Sequence, residues 1–217
     1  MPWLGRKKGY DRGRIRADAR RAVVRGDHGK AVALYERMRE VEPENTDVLR
    51  RLAAQRARAG QRAEAWRDCR QAAQRLARKG FVEQAIGVYR DFANHFPDEV
   101  AIWEALSDLE LARKRRPDAV VVLLEGRRSF RSRRNRQAAL SLLRRARKID
   151  PTHFEANFDL AGMLARDGAV LPAGRILEEL ARRAVGRNLR RVRGRQFRLS
   201  PSLAAAWRWL CALVRGA

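Results

Sequence analysis

"KGFVEQAIGVYRDFANHFPDEVAIW" runs from Lys79 to Trp103, and 54 residues earlier "RGDHGKAVALYERMREVEPENTDVL" runs from Arg25 to Leu49. Gly26 becomes Gly80, Ala31 becomes Ala85, Tyr35 becomes Tyr89 and Pro43 becomes Pro97. The residues that recur have different physical uses: a glycine for a turn, a small residue, an aromatic four places on, and a proline that stops a helix. A fixed period of this kind is the signature of a repeat architecture.

The alanine of "KAVALY" serves as an anchor. Ala31, Ala65, Ala85, Ala119, Ala139 and Ala173 fill the equivalent place, spaced 34, 20, 34, 20 and 34 residues apart. Four residues on stand Tyr35, Cys69, Tyr89, Leu123, Leu143 and Leu177; seven on stand Met38, Ala72, Phe92, Gly126, Ala146 and Leu180. Those offsets complete one face of a helix. Five before the anchors come Gly26, Gly60, Gly80, Lys114, Arg134 and Gly168; twelve after alternate anchors come Pro43, Pro97 and Pro151. Glycine permits a tight turn between antiparallel neighbours, and proline ends the helix before it. Thr152 with Glu155 has capping-box spacing.

The 34-residue step resembles the tetratricopeptide repeat (TPR), a helix–turn–helix unit of that length. The resemblance rests on small residues at Ala19, Ala53, Ala73 and Ala161, the turn glycines, the anchor alanines, the aromatics after them and the prolines. Trp103 and Leu106 stand where the family's first helix carries its large apolar pair. It covers residues 12–187 and implies an all-α, right-handed α-solenoid. The 20-residue step departs from the family, because it leaves no room for two helices. The helices at 62–79 and 116–133 are therefore expected to close one hairpin and open the next, giving a 54-residue super-repeat of three helices. Helices are expected at 12–25, 28–41, 45–59, 62–79, 82–95, 99–113, 117–133, 136–149, 153–167 and 171–186. A basic tail (1–11) precedes this array; an Arg-rich linker (188–199) and an apolar terminal helix (200–217) follow it.

Composition narrows the function. Lys and Arg number 49 against 25 Asp and Glu, a net charge of +24, and 43 of the 49 are arginine. Such a field favours acidic protein segments, nucleic acid or anionic lipid. Cys69 and Cys211 show neither disulfide nor zinc spacing. No apolar run of secretory-signal or membrane-spanning length is present, so a cytoplasmic protein is expected, with a peripheral place at the inner membrane face as a variant. Ser200 and Pro201 read as the N-cap and first residue of the last helix, whose apolar body is Leu203–Val214. Roughly 18 Å of helix cannot cross a membrane. It either caps the solenoid or lies in an anionic interface with Trp207 and Trp209 at headgroup level.

Catalytic motifs are lacking: no HExxH, GxSxG or Walker loop occurs. His28 falls in a turn, His153 in a helix's first turn, and His95 shares a column with Val41 and Ile149 that predicts a packed side chain. No enzyme, cofactor, metal or small-molecule substrate is expected. In TPR arrays the first helix of each unit lines the concave face. Carried over by register, that implies a partner-binding groove holding Arg16, Arg20, Arg50, Arg70, Gln74 and Arg78, followed by Glu104 and Asp108. The leading expectation is a scaffold or adaptor that captures acidic protein segments in a basic groove. The alternative is a polyanion binder, taking RNA or DNA non-specifically or an anionic membrane surface. It would act through Arg127, Arg128, Arg131, Arg133 and Arg134, through Arg190, Arg191 and Arg193, and through the terminal helix.

Overall fold

The computed structural model describes residues 11–214, which form helices and turns with no strand among the described residues. The helices are α1 (Arg12–Val24), α2 (His28–Val41), α3 (Thr46–Arg58), α4 (Arg62–Arg78), α5 (Val82–His95) and α6 (Val100–Ala112). They continue with α7 (Arg116–Ser129), α8 (Arg136–Ile149), α9 (Phe154–Arg166), α10 (Val170–Arg183), α11 (Gly186–Leu199) and α12 (Leu203–Val214). Two compact units divide the chain within α6, at Ile102 and Trp103. The basic segment 1–11 lies outside the described residues except for Asp11. That residue is the N-cap of α1, its carboxylate accepting from the Arg14 amide at 3.0 Å.

The turns carry the repeat in their hydrogen bonds. In the α1–α2 turn, Gly26 N–H donates to the Val23 carbonyl and Asp27 N–H reaches back to Ala22 at 2.9 Å. The same pair of bonds closes the α3–α4 turn (Gly60, Gln61), the α4–α5 turn (Gly80, Phe81), the α6–α7 turn (Lys114, Arg115) and the α9–α10 turn (Gly168, Ala169). Each is a Schellman-type end whose pivot residue takes a positive φ. Glycine supplies φ 74° to 84° at four of these pivots, and Lys114 sits at φ 61° in the fifth. A second turn type follows α2, α5 and α8, where Glu42, Phe96 and Asp150 donate to Met38, Phe92 and Ala146 just before Pro43, Pro97 and Pro151. The order glycine-type, proline-type, glycine-type thus repeats every three helices, except that the α7–α8 turn follows neither pattern.

Side-chain burial follows the same register. All six anchor alanines are fully buried, and so are Tyr35, Cys69, Tyr89, Leu123, Leu143 and Leu177 four residues on. In the first unit each helix packs on its chain neighbour, and α3 also touches α5. Helix α4 therefore serves both sides. Ala65, Cys69 and Ala72 form one buried face, while Ala73 and Leu76 widen it. Trp66 lies 5.8 Å from Tyr89 and 5.7 Å from Phe92, tying α4 to α5. On its other side, buried Asp68 pairs with Arg56 of α3 and with Arg39 of α2 at 3.3 Å, and Arg56 also pairs with Glu36. A buried guanidinium with two carboxylate partners is tolerated because its charge and most of its donors are satisfied in place. In the second unit α7 to α12 pack in succession, and α9 also meets α11. Trp103 there lies over Gly126, where an added Cβ would fall inside the indole. Stacked helical hairpins in the TPR-like register, with a three-helix super-repeat, are the architecture of this chain.

Four expectations need correction. Residues 186–199, read from 188 onward as a linker, form helix α11. Val192 and Gly194 are buried, and the arginines project from its other faces. Helix α7 stops at Ser129, four residues before the expected end. Its turn column holds Arg134 in place of a glycine, and buried Phe130 caps the helix. The cap of α9 is His153, whose Nδ1 accepts from the Ala156 amide at 3.2 Å, while Thr152 bonds to Asp150. The α12 cap is Ser202, whose hydroxyl accepts from Ala205, and Ser200 ends α11. In addition, His95 is exposed at the end of α5, unlike buried Ile149.

Candidate binding faces

Helices α1, α3 and α5 line a trough in the first unit. At one end a concavity of about 430 Å³ is bounded by Arg20, Val23 and Val24 of α1, by Arg50, Arg51, Ala54 and Arg58 of α3, and by Asp91 of α5. At the other, about 670 Å³ is enclosed by Glu44, Asp47 and Arg50 with Leu76, Lys79, Phe81, Gln84, Gly87, Val88 and Asp91. Arg50 and Asp91 belong to both. Two large apolar side chains stand open at its rims: Val24 is 87% exposed and Phe81 50%. Between those rims the lining is mostly polar, with Arg20, Arg51 and Arg58 at the α1 end, Glu44, Asp47 and Lys79 at the other, and Arg50 and Asp91 shared.

Asp47 organises the basic side chains. Arg51 lies 2.8 Å from its carboxylate, Arg50 3.2 Å and Arg16 3.5 Å. Partial burial works against ionisation of this carboxylate, but the hydrogen bonds from Arg51 and Arg50 hold it below the ordinary value. Of the groove residues implied by the family register, Arg16, Arg20 and Arg50 come together here. Arg70, Gln74 and Arg78 are exposed on α4 and line neither concavity. Asp108 pairs with Arg145, which leaves it engaged on its own unit. Arg51, Arg58 and Asp91 were not singled out from sequence. Asp91 could have been found by setting α5 beside α3, which only the shared role of α4 brings about.

The second basic cluster folds into a pocket. Arg127, Arg128, Phe130, Arg131, Ser132, Arg133 and Arg136 meet Met163 and Arg166 around about 520 Å³, with no carboxylate in the lining. Arg134 is exposed in the same turn but lies outside this lining. Arg136 belongs to the same basic stretch of sequence, whereas Arg166 was missed because it lies on α9, beyond that stretch. The two are 30 residues apart, at the start of α8 and the end of α9, and Arg136 donates to the Arg166 carbonyl at 3.0 Å.

The α11 arginines diverge. Arg191 forks onto Glu155 of α9, one Nη at 2.9 Å, and lies over the Phe158 ring at 4.5 Å. Arg195 donates to the Phe158 carbonyl and stacks on the same ring at 3.5 Å. These contacts clamp α11 on α9. Arg193 bonds to Gln196, and Arg190 is half-buried. On α12, Trp209 stacks with Phe197 at 5.9 Å and covers Gly194. Trp207 is 68% exposed, on one stripe with Leu203 and Leu210. The helix thus caps α11 with one face and leaves the other open.

Among the described residues no three His, Cys, Asp or Glu side chains stand together as a metal site would require. No described helix is long and apolar enough to cross a membrane. Cys69 is buried with its thiol pushed up, chiefly by burial and then by Asp91 and Asp68. A thiol in that state is a poor nucleophile.

Stacked hairpins with glycine pivots, anchor alanines and proline stops place the chain in the TPR-like class of helical-repeat folds. No protein-family model and no curated protein sequence matches it. Solved structures similar to it include a tetratricopeptide repeat protein from Parabacteroides merdae, at 16% identity over 94% of this chain and 93% of that one, TM-score 0.35. MamA is similar at 14% identity over 91% and 93%, TM-score 0.33. The pilF protein of Pseudomonas aeruginosa is similar at 13% identity over 94% and 89%, TM-score 0.33. The fold assignment rests on the turns and buried columns of this chain itself.

Proposed function

We propose that the chain is a non-enzymatic scaffold that holds an extended, acidic and partly apolar protein segment in the trough between α1, α3 and α5. The observation that supports this reading most is the pairing of a few open apolar side chains with a basic end. Exposed Val24 and half-buried Val23 and Ala54 offer contact area, and Arg20, Arg50 and Arg58 stand beside it. Guanidinium forks recognise carboxylates with geometry as well as charge. Burial of the segment's apolar side chains would supply most of the affinity, at about 25 cal/mol per Å² before ordering costs. Glu44 at the far end, with Asp91 shared between the two concavities, favours a segment whose charge changes sign along its length.

The test is fluorescence anisotropy with synthetic segments that carry acidic and apolar residues at one end and a basic residue at the other. Reversal of Arg20, Arg50 and Arg58 to Glu should weaken binding by more than about tenfold, roughly 1.4 kcal/mol. Reversal of Arg70 and Arg78 on α4 should leave binding unchanged. Equal losses from both sets, or none from either, would overturn the trough as the binding face.

A further inference from the structure

The Arg-lined pocket at the α7–α8 turn is a different kind of place from the trough. Six guanidiniums (Arg127, Arg128, Arg131, Arg133, Arg136 and Arg166) surround one concavity. The carboxylates that reach any of them do so from outside the lining. Asp159 holds Arg127 at 3.1 Å, and Asp167 holds Arg136 at 3.4 Å. Six positive groups against two negative ones leave a surplus of four within a space of about 520 Å³. Like charges so close repel one another, and a local dielectric below that of water strengthens the repulsion. An anion seated among them reverses the sign of that term.

The arginines are also held in position. Arg136 donates to the Arg166 carbonyl at 3.0 Å, and Arg166 donates through Nε to Gly162 at 3.1 Å. Arg131 donates through Nε to the Arg128 carbonyl at 3.2 Å, which leaves its two Nη groups for a ligand. Arg128 and Arg133 are exposed and have no acidic partner among the described residues. The turn that presents them is fixed by buried Phe130 and by the Asn135 amide bonded to Ser132. Its six-residue length, against three in the glycine-type turns, comes from the early end of α7.

We infer that this pocket binds a compact oligophosphate, free or as the phosphate chain of a nucleotide. Charge sets the size of the anion. A phosphate monoester carries about −1.5 to −2, which is short of the surplus, whereas two or three linked phosphates match it. Shape sets the class. Phe130, the one aromatic in the lining, is 5% exposed, so no ring is free to stack with a base. Single-stranded nucleic acid is held by such stacking along a groove. Here the contacts converge on one point and recognise phosphate oxygens through forked N–H groups.

Isothermal titration of the intact chain with sodium triphosphate tests the inference. Pyrophosphate, ATP, adenosine and a 5′-hydroxyl single-stranded RNA serve as further probes. Triphosphate and ATP should bind alike, pyrophosphate more weakly, and adenosine not at all. Arg128→Glu with Arg133→Glu should reduce triphosphate affinity by about tenfold or more. Arg175→Glu with Arg182→Glu, the same charge change on α10, should leave it within about twofold. The milder pair Arg128→Lys and Arg133→Lys keeps charge and fold but loses the forks, and should still bind several times more weakly than the parent. Circular dichroism confirms that each variant retains its helices. Equal losses from the two reversals would show a diffuse field and overturn the site. So would RNA binding that triphosphate fails to displace, because the face would then be an extended nucleic-acid surface.

Discussion

Lys114 is the residue at which the repeat departs from its own rule. Its column holds Gly26, Gly60, Gly80 and Gly168, all in the left-handed region, and Lys114 adopts φ 61° without the freedom that glycine has. A side chain with a Cβ pays of order 1 kcal/mol or more in that region. Lys114→Gly should therefore stabilise the second unit by about 0.5–1 kcal/mol, the relief of strain being partly offset by a freer unfolded chain. The urea midpoint should rise at unchanged slope. Gly168→Ala should do the reverse by a similar amount, because a Cβ there meets nothing within 4 Å and only the backbone resists it. Residues of this kind were legible in the sequence. A glycine at a fixed offset before a helix is a statement about backbone angle, and the column identified the position even where lysine fills it. The partners of surface charges were not legible. Nothing in the spacing of Arg191 says that Glu155 and Phe158 will hold it.

Helix boundaries were readable for the same reason, since each glycine or proline punctuates a helix with a hydrogen-bond pattern of its own. The reading failed where that punctuation lapses: α7 ends early at the column holding Arg134, and α11 appears in sequence taken for a linker. Helix α11 has an apolar face of only a few residues among arginines, so composition hides it. What holds it is the clamp from α9, and that clamp titrates. Glu155 is kept below the ordinary carboxylate value of 4.5, first by its hydrogen bond from Arg191, with burial opposing. A carboxyl group whose folded value is depressed contributes stability above its unfolded value and loses it as pH falls through the folded one. Docking of α11 should thus be steady from neutral pH down to about 5 and weaken below about 4. Glu155→Gln should cost under about 1 kcal/mol at neutral pH, because the pair is half exposed, and should flatten the acid dependence. Tryptophan fluorescence of Trp209, stacked on α11, would report both effects during denaturant titrations at several pH values. A parent-like acid slope in the variant would reject the clamp.

At the scale of the molecule, stability in a chain of helices that touch mainly their neighbours is a sum of local terms. Disturbance at one end should therefore fade with distance along the stack. Trp209→Ala removes the ring that stacks on Phe197 and covers Gly194. Hydrogen exchange should then speed up in α12 and α11, less in α9 and α10, and not in α1 to α3. Uniform acceleration across all twelve helices would mean a single cooperative unit instead. The net charge of +24 was plain from composition, but its distribution was not. Several arginines are paired with Asp47, Asp98 or Glu155, whereas at the α7–α8 turn six guanidiniums meet only Asp159 and Asp167 among the described residues.

The three-step rhythm of the turns has a geometric outcome. With an odd number of antiparallel segments in each copy, a column that points one way along the axis in α2 points the opposite way in α5. The wall formed by α1, α3 and α5 therefore draws on all three helix positions of the repeat, the first and third of one copy and the second of the next. A two-segment repeat would offer the same chemistry at every rung and suit a ligand that is itself periodic. This wall presents a different set of groups at each rung and suits one aperiodic segment, read in a single direction.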